Sequence, residues 1–77
     1  MAQIEAHEGA VIVDVDFRTV GADGRVWGMI RTGSVNVGGS AEARDADGNR
    51  CHGRVVGASE GRVELDLVLD SFRSAGE

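Results

Sequence analysis

Two segments of the chain alternate apolar and polar residues, and this period of two is typical of half-buried β-strands. Residues 11–17 carry apolar side chains at every second position, namely Val11, Val13, Val15 and Phe17. Residues 63–69 repeat the pattern with Val63, Leu65, Leu67 and Leu69. Glycine-containing turns recur between them at intervals of about 8 to 12 residues, the spacing expected in a sandwich or barrel. The pattern predicts an all-β fold in which both sets of apolar side chains point inward.

We predict six short strands, which lie close to residues 10–20, 24–32, 34–37, 40–46, 50–59 and 62–70. The 77 residues suffice for one hydrophobic core but are too few for two, because a chain of this size buries only about 60% of its unfolded surface. We therefore expect a single domain over 1–77, with a polar leader over 1–9 and a frayed tail over 71–77. No proline protects the edge strands, and closure would remove those edges. The expected architecture is a small closed or nearly closed six-stranded β-barrel, with an SH3-like or OB-like barrel as the alternative.

The chain is acidic, with a formal net charge of −5 at pH 7. This charge disfavours non-specific binding to nucleic acid, whose phosphates attract clustered positive charge. All 8 basic residues are arginine, a bias that suggests a high-GC bacterial genome. The longest apolar run, residues 10–13, is far shorter than the roughly 20 residues that cross a bilayer. Residues 1–8 lack the basic start and apolar stretch of a signal peptide, so we expect a cytoplasmic protein that does not contact membranes.

The sequence contains no set of residues that we interpret as catalytic. Its one cysteine, Cys51, stands next to His52, and neighbours on a strand face opposite ways. The two side chains therefore cannot form a nucleophile and base pair without a bulge. We interpret Cys51 as a small structural residue in a reducing compartment. We predict that the protein is not an enzyme and uses no cofactor.

Residues 45–49, Asp-Ala-Asp-Gly-Asn, superficially resemble the start of a calcium-binding loop. An EF-hand would need glycine at its sixth position and glutamate at its twelfth, where this chain has Arg50 and Val56. A hairpin tip explains the segment better, because a type I′ turn needs positive φ at both central residues and Asp47-Gly48 supplies it. We therefore predict a hairpin here and no metal site.

Residues 28–38, Gly-Met-Ile-Arg-Thr-Gly-Ser-Val-Asn-Val-Gly, resemble a hallmark of the β-barrel second domain of translational GTPases such as elongation factor Tu. In that family a strand ends in Gly-x-Val, and two polar residues and Gly-x-Val-x-Val-Gly follow, usually with Asp next. This chain has Gly39 at the position of that Asp. Residues 13–17 and 21–26 resemble the opening strand and turn of the family, although the turn is one residue longer and the spacing from Val26 to Gly28 is one residue shorter. Residues 54–56 and 58–65 resemble its closing hairpin.

The resemblance implies a translation-factor domain II-like barrel, which in that family contacts tRNA ends, ribosomal RNA or neighbouring protein domains. The GTPase half is not implied, because no Gly-x-x-x-x-Gly-Lys-Ser/Thr phosphate loop is present. The resemblance also implies tasks for three glycines. Gly33 and Gly38 would permit sharp reversals at the ends of a very short strand, and Gly28 would sit inside a strand where a bulge or close packing is expected.

The segment from 25 to 31 carries the candidate binding residues. If Val26 and Ile30 point inward, as the resemblance implies, the tryptophan and methionine between them point outward and are flanked by arginines. Exposed tryptophan and methionine beside arginine are typical of the core of a protein interface. The opposite phase would bury the tryptophan, and the sequence leaves both phases open. The predicted binding residues are Arg25, Trp27, Met29 and Arg31.

The predicted function is a non-enzymatic binding module whose partner is an unknown protein or, in a homodimer, a second copy of the chain. The alternative is an RNA- or ribosome-associated factor, whose phosphate contacts would come from Arg25, Arg31, Arg50 and Arg54. The net charge disfavours this alternative. If the first and last strands adjoin, their outward carboxylates would form either one acidic surface for a basic partner or a merely solvated face. Those carboxylates are Asp14, Asp16, Glu64, Asp66 and Asp70.

Overall fold

The computed structural model describes residues 11–76, which form a closed barrel of β-strands. The strands are β1 (Ile12–Asp14), β2 (Arg25–Thr32), β3 (Ser40–Arg44), β4 (Arg50–Ser59) and β5 (Arg62–Leu67). They follow the order β1-β2-β5-β4-β3, and the parallel pairing of β1 with β3 closes the barrel. The other neighbouring strands are antiparallel. The predicted small closed all-β barrel is confirmed, but the described residues form five strands where six were predicted.

The segment predicted as the third strand, residues 34–37, is a loop. Gly33 and Gly38 have φ of 92° and 93°, a region that favours glycine, and so confirm the predicted reversals. The loop bends back onto β4, where Gly38 N–H donates to Val55 O at 2.7 Å and Val55 N–H donates to Gly39 O at 2.8 Å. These two hydrogen bonds hold the end of the loop at a single residue of β4. A continuous ladder along 34–37 is therefore not formed.

The first predicted strand is shorter than expected because the chain turns soon after β1. Asp16 Oδ1 accepts a hydrogen bond from the backbone N–H of Arg18 at 3.0 Å, and Asp16 thereby caps a 3-10 turn over Phe17–Thr19. Phe17 is half-buried and packs against the core from this turn. The predicted polar leader over 1–9 lies outside the described residues.

The last strand also ends early, and a second 3-10 turn covers Leu69–Ser71. Leu69 is 58% exposed, so the prediction that it points inward is wrong. The period of two holds only while the backbone is extended, and the turn rotates this side chain out of the barrel. Beyond the turn, the chain returns to β4, where Arg73 and Arg50 exchange backbone hydrogen bonds of 2.8 and 2.9 Å.

The barrel interior is filled by small and medium-sized apolar side chains. The buried set is Val11, Val13, Val15, Val26, Ala41, Ala43, Cys51, Val55, Val63, Leu65 and Leu67. Both alternating segments contribute to it, so they share one core as predicted. Cys51 is 1% exposed, which confirms it as a small buried strand residue.

Gly28 lies on the inward side of β2, where the strand packs directly on β1. A Cβ atom at this position would lie 2.7 Å from the Cγ1 atoms of Val13 and Val15 and would also clash with the carbonyl oxygen of Asp14. Only glycine allows the two strands to approach this closely without displacement. The close packing predicted at Gly28 is confirmed.

The two hairpin tips differ in turn type. Glu60 and Gly61 join β4 to β5 and have φ of 52° and 84°, so the type I′ turn lies here. At the tip between β3 and β4, Gly48 has φ of 92° but Asp47 does not have a positive φ. The hairpin predicted at this tip is confirmed, and its predicted type I′ turn is wrong. Gly48 N–H instead donates to Asp45 O at 3.3 Å across a four-residue turn.

The Asp45 side chain organises the β3–β4 tip. Its Oδ1 accepts from the backbone N–H groups of Asp47 at 3.0 Å and Asn49 at 2.9 Å, and its Oδ2 accepts from Asn49 Nδ2 at 2.8 Å. The hydrogen bond from the Asn49 side chain is the largest cause that holds the pKa of Asp45 below its usual value. The Asp45 carboxylate thus bonds to the hairpin itself.

We expect Asp45 to make the fold sensitive to acid. Because its pKa is lowered in the folded state, its stabilising contribution is present above the ordinary aspartate pKa of about 3.9 and is lost as the pH falls through the lowered value. Asp45→Asn should therefore flatten the decline in unfolding free energy below about pH 4, as measured by urea denaturation at successive pH values. An equally steep decline in the variant and the wild type would contradict this assignment.

Candidate protein-binding face on strand β2

Strand β2 directs its side chains alternately to the inside and the outside of the barrel. Val26 is 2% exposed, whereas Trp27 and Met29 are 44% and 55% exposed. Ile30 is half-buried and packs against the core. The strand phase that the sequence left open is therefore the one that places Trp27 and Met29 outside.

Strand β5 borders these two side chains on one side. The register places Trp27 opposite Glu64 and Met29 opposite Arg62. The guanidinium carbon of Arg62 lies 5.7 Å from the centroid of the Trp27 ring, which is within the range of a cation–π interaction. This contact holds the indole in place while leaving much of its surface accessible.

Strand β1 borders the same side chains on the other side. The register places Asp14 opposite Met29. Arg31 Nε donates to the Asp14 carboxylate, at 3.0 Å from Oδ1 and 3.1 Å from Oδ2. Both charged side chains are about half exposed, and such surface pairs contribute little to stability. Their main consequence is positional, because the pair holds the Arg31 guanidinium next to β1.

Arg25 lies at the start of β2, at the other end of the outer face from Arg31. Its backbone N–H donates to Asp23 Oδ1 at 3.0 Å, and its register partner on β5 is Asp66. All four predicted binding residues thus lie on the outer face of one strand, with the two apolar side chains between the two arginines.

We call this surface the Trp27 face, defined as Arg25, Trp27, Met29 and Arg31 with their neighbours Asp14, Arg62, Glu64 and Asp66. Its three arginines and three carboxylates balance, so it has no formal net charge. A shallow groove of about 670 Å³ opens beside it, between Trp27 and the β3–β4 tip at Asp45 and Ala46. An apolar centre with a polar rim is the usual anatomy of a protein interface.

The continuous acidic surface that depended on adjoining first and last strands is not formed by the described residues. β1 and β5 are not neighbours, because β2 lies between them. Asp14 pairs with Arg31, and Asp16 belongs to the first 3-10 turn, where a hydrogen bond from the Arg18 side chain is the main cause of its lowered pKa. Asp70 lies beyond the end of β5. The outward carboxylates of β1 and β5 are thus separated by the side chains of β2.

The four arginines proposed for RNA contact do not form one surface either. Asp66 is the register partner of both Arg25 and Arg54, so a carboxylate lies between these two arginines. Arg31 pairs with a carboxylate of β1, and Arg50 lies at the far end of β4. The RNA alternative stays a prediction, and the positions of the four arginines in the barrel do not add support to it.

Sequence reasoning missed Arg62 at the Trp27 face and a group of arginines on β3, β4 and the C-terminal segment. The register places Arg44 opposite Arg50, and Arg50 forms a bridge with Arg73. These residues become neighbours only through strand pairing. A local pattern could not reveal them, because it contains no information on which strands adjoin.

Cys51 and His52 face opposite ways, as predicted, with the thiol buried and the imidazole exposed. Within residues 11–76, His, Cys, Asp and Glu side chains do not assemble in groups of three or more that could hold a metal ion. The same part of the chain contains no helix with the length and apolar character required to span a membrane.

A scan of protein-family models, a search of curated proteins and a search of solved structures each found no match to the chain. The resemblance to domain II of translational GTPases is therefore neither supported nor contradicted by a relative. It stays a prediction, and the functional argument depends on the geometry of the Trp27 face.

Proposed function

We propose that this chain is a non-enzymatic module that binds another protein through the Trp27 face. The proposal is supported by the outward placement of Trp27 and Met29 on β2, a strand paired on both sides by β1 and β5. Burial of one large apolar side chain contributes about 1.5 to 3 kcal/mol, so covering this pair favours association. The paired strand holds both side chains before a partner arrives, which reduces the entropy lost on binding.

The rim of the face favours a partner that has an apolar contact flanked by both signs of charge. A second copy of the chain meets this requirement, because a surface with equal numbers of arginines and carboxylates can be complementary to itself across a two-fold axis. RNA is a less suitable partner than a second copy, since the face has no excess of positive charge. On the sequence features described above, we place this role in the bacterial cytoplasm.

Fluorescence tests the proposal directly, because Trp27 is the one tryptophan of the chain. In the monomer we expect emission typical of a partly hydrated indole and quenching by iodide. Sedimentation velocity over a concentration series will show whether a dimer forms, and dimer formation through this face should shift the emission to the blue and protect it from iodide. A dimer with unchanged emission and quenching would place the interface elsewhere.

Removal of the two apolar side chains should separate binding from stability. We expect Trp27→Ala with Met29→Ala to abolish association while lowering the free energy of unfolding by no more than about 1 kcal/mol, since both side chains are largely outside the core. The matched control is Leu69→Ala, whose side chain is 58% exposed on a different element. Association can be measured as self-association. It can also be measured as capture of one partner protein that both the wild type and the Leu69→Ala control bind. Association that survives the double substitution would contradict the proposal.

A further inference from the structure

A second groove, of about 250 Å³, lies between the outer face of β4 and the C-terminal segment. We call it the Arg50 groove, and its lining residues are Glu42, Arg50, Cys51, His52, Ser71 and Arg73. It shares no residue with the Trp27 face. A site at this groove would therefore be independent of the proposed protein contact.

The backbone places Arg50 and Arg73 side by side. Arg50 N–H donates to Arg73 O at 2.9 Å, and Arg73 N–H donates to Arg50 O at 2.8 Å. Residues that exchange both hydrogen bonds have Cα atoms about 5.5 Å apart and direct their side chains to the same face. On the other side of Arg50, β3 places Arg44 directly opposite. Three arginines thus lie in one row across three adjacent segments.

Within the described part of the chain, carboxylates do not neutralise the centre of this row. Glu42 lines the groove, but its Oε2 accepts from Arg44 Nε at 2.8 Å. Among residues 11–76, Arg50 and Arg73 have no carboxylate oxygen within 4.0 Å. Like charges directly opposite one another destabilise a sheet. An anion bound between the two guanidinium groups would relieve this repulsion.

We propose that the Arg50 groove binds a compact, multiply charged oxyanion of the phosphate class. The planar guanidinium group presents N–H donors in a fork that matches two oxygens of such an anion. Arg73 uses Nη1 to donate to Phe72 O at 3.0 Å, which orients the group and leaves its other N–H donors available. His52 lines the same groove and adds an imidazole N–H donor.

The surroundings of the groove favour a small anion over an extended nucleic acid strand. The outward position that follows Arg50 on β4 is His52, whose partner on β3 is Glu42. Arg54 comes next, about 13 Å from Arg50 at 3.3 Å per strand residue, and its partner on β5 is Asp66. Carboxylates on both flanking strands interrupt the row of positive charge, so it is concentrated at one point.

The test is a titration of the full chain with inorganic pyrophosphate at constant ionic strength, followed by NMR of the arginine Nε–Hε groups. We expect saturable shifts at Arg50 and Arg73. Arg50→Gln and Arg73→Gln should each weaken binding by at least about tenfold, because each removes charge-assisted hydrogen bonds. Arg54→Gln is the matched control, since it removes the same charge from the same face of β4 and should leave the affinity within about twofold.

Three results would overturn the proposal. Shifts that stay linear up to the highest pyrophosphate concentration would show that no site exists. Equal weakening by Arg54→Gln and Arg50→Gln would show a response to net charge rather than to this groove. A single-stranded RNA oligonucleotide that binds more tightly than pyrophosphate, and whose binding is lost equally in Arg50→Gln and Arg54→Gln, would show an extended nucleic acid surface. Thermal melting of each variant confirms that the comparison is made on folded protein.

Discussion

Gly28→Ala should lower the free energy of unfolding by about 3 kcal/mol, at the upper end of the range for overpacked interiors. The added methyl group would lie 2.7 Å from the Cγ1 atoms of Val13 and Val15 and would meet the backbone oxygen of Asp14 even more closely. A backbone atom cannot move aside as a flexible side chain can, so β1 must shift away from β2. Chemical denaturation of the variant and the wild type measures the difference.

Gly57→Ala is the matched control for this substitution. Gly57 also lies inside a strand, β4, but a Cβ atom there would have its nearest contacts at 3.7 and 3.9 Å, both with the side chain of Glu64. These are ordinary contact distances, and we expect a change within about 1 kcal/mol. Equal losses at the two positions would show that the intolerance at Gly28 does not come from its approach to β1.

Leu65→Ala should be the other strongly destabilising substitution, with a loss of about 3 kcal/mol in the range typical of buried leucine. Leu65 is fully buried and is one of the largest side chains in the barrel interior. Its truncation leaves a cavity that the paired strands of a closed barrel cannot collapse to fill. A domain of 77 residues has a total stability of roughly 4 to 12 kcal/mol, so a large part of it would be lost.

Leu69→Ala tests the same residue type outside the barrel. Leu69 lies in the second 3-10 turn and is 58% exposed, so we expect a change within about 0.5 kcal/mol. The two leucines have the same parity in the alternating segment, which makes the comparison a direct measure of where the strand ends. A loss at Leu69 close to that at Leu65 would mean that the inward pattern continues past Leu67.

The strands bounded by turn residues at both ends were predicted most accurately. β4 occupies the predicted residues 50–59, and β2 begins one residue later than the predicted 24–32. Asp47-Gly48 and Glu60-Gly61 mark the ends of β4 locally, although the sequence did not reveal which of these pairs forms the type I′ turn. The prediction of a strand over 34–37 was wrong, although apolar and polar residues alternate there. The segment is a loop, in which Val35 packs against the core and Val37 stays exposed, whereas on a strand the two side chains would share one face.

The candidate site was predictable only in part. The four residues predicted for it lie along the outer face of β2. The alternation within this one strand is enough to place them once its phase is known. The phase depends on the inward position of Gly28, whose packing against β1 cannot be judged from β2 alone. The contact of Arg62 with Trp27 and the pair of Arg31 with Asp14 come from strands on either side.

The amino-acid sequence alone determined an all-β chain with one core, the turns between most strands and a segment that places tryptophan and methionine between arginines. These features are local, because alternation and turn preference depend on residues a few positions apart. Only the tertiary structure decided that β2 separates β1 from β5, that acidic side chains lie on both sides of Trp27 and Met29, and that Arg50 meets Arg73. Strand order and register arise when all the strands pair at once to close the barrel, and a single segment does not carry that information.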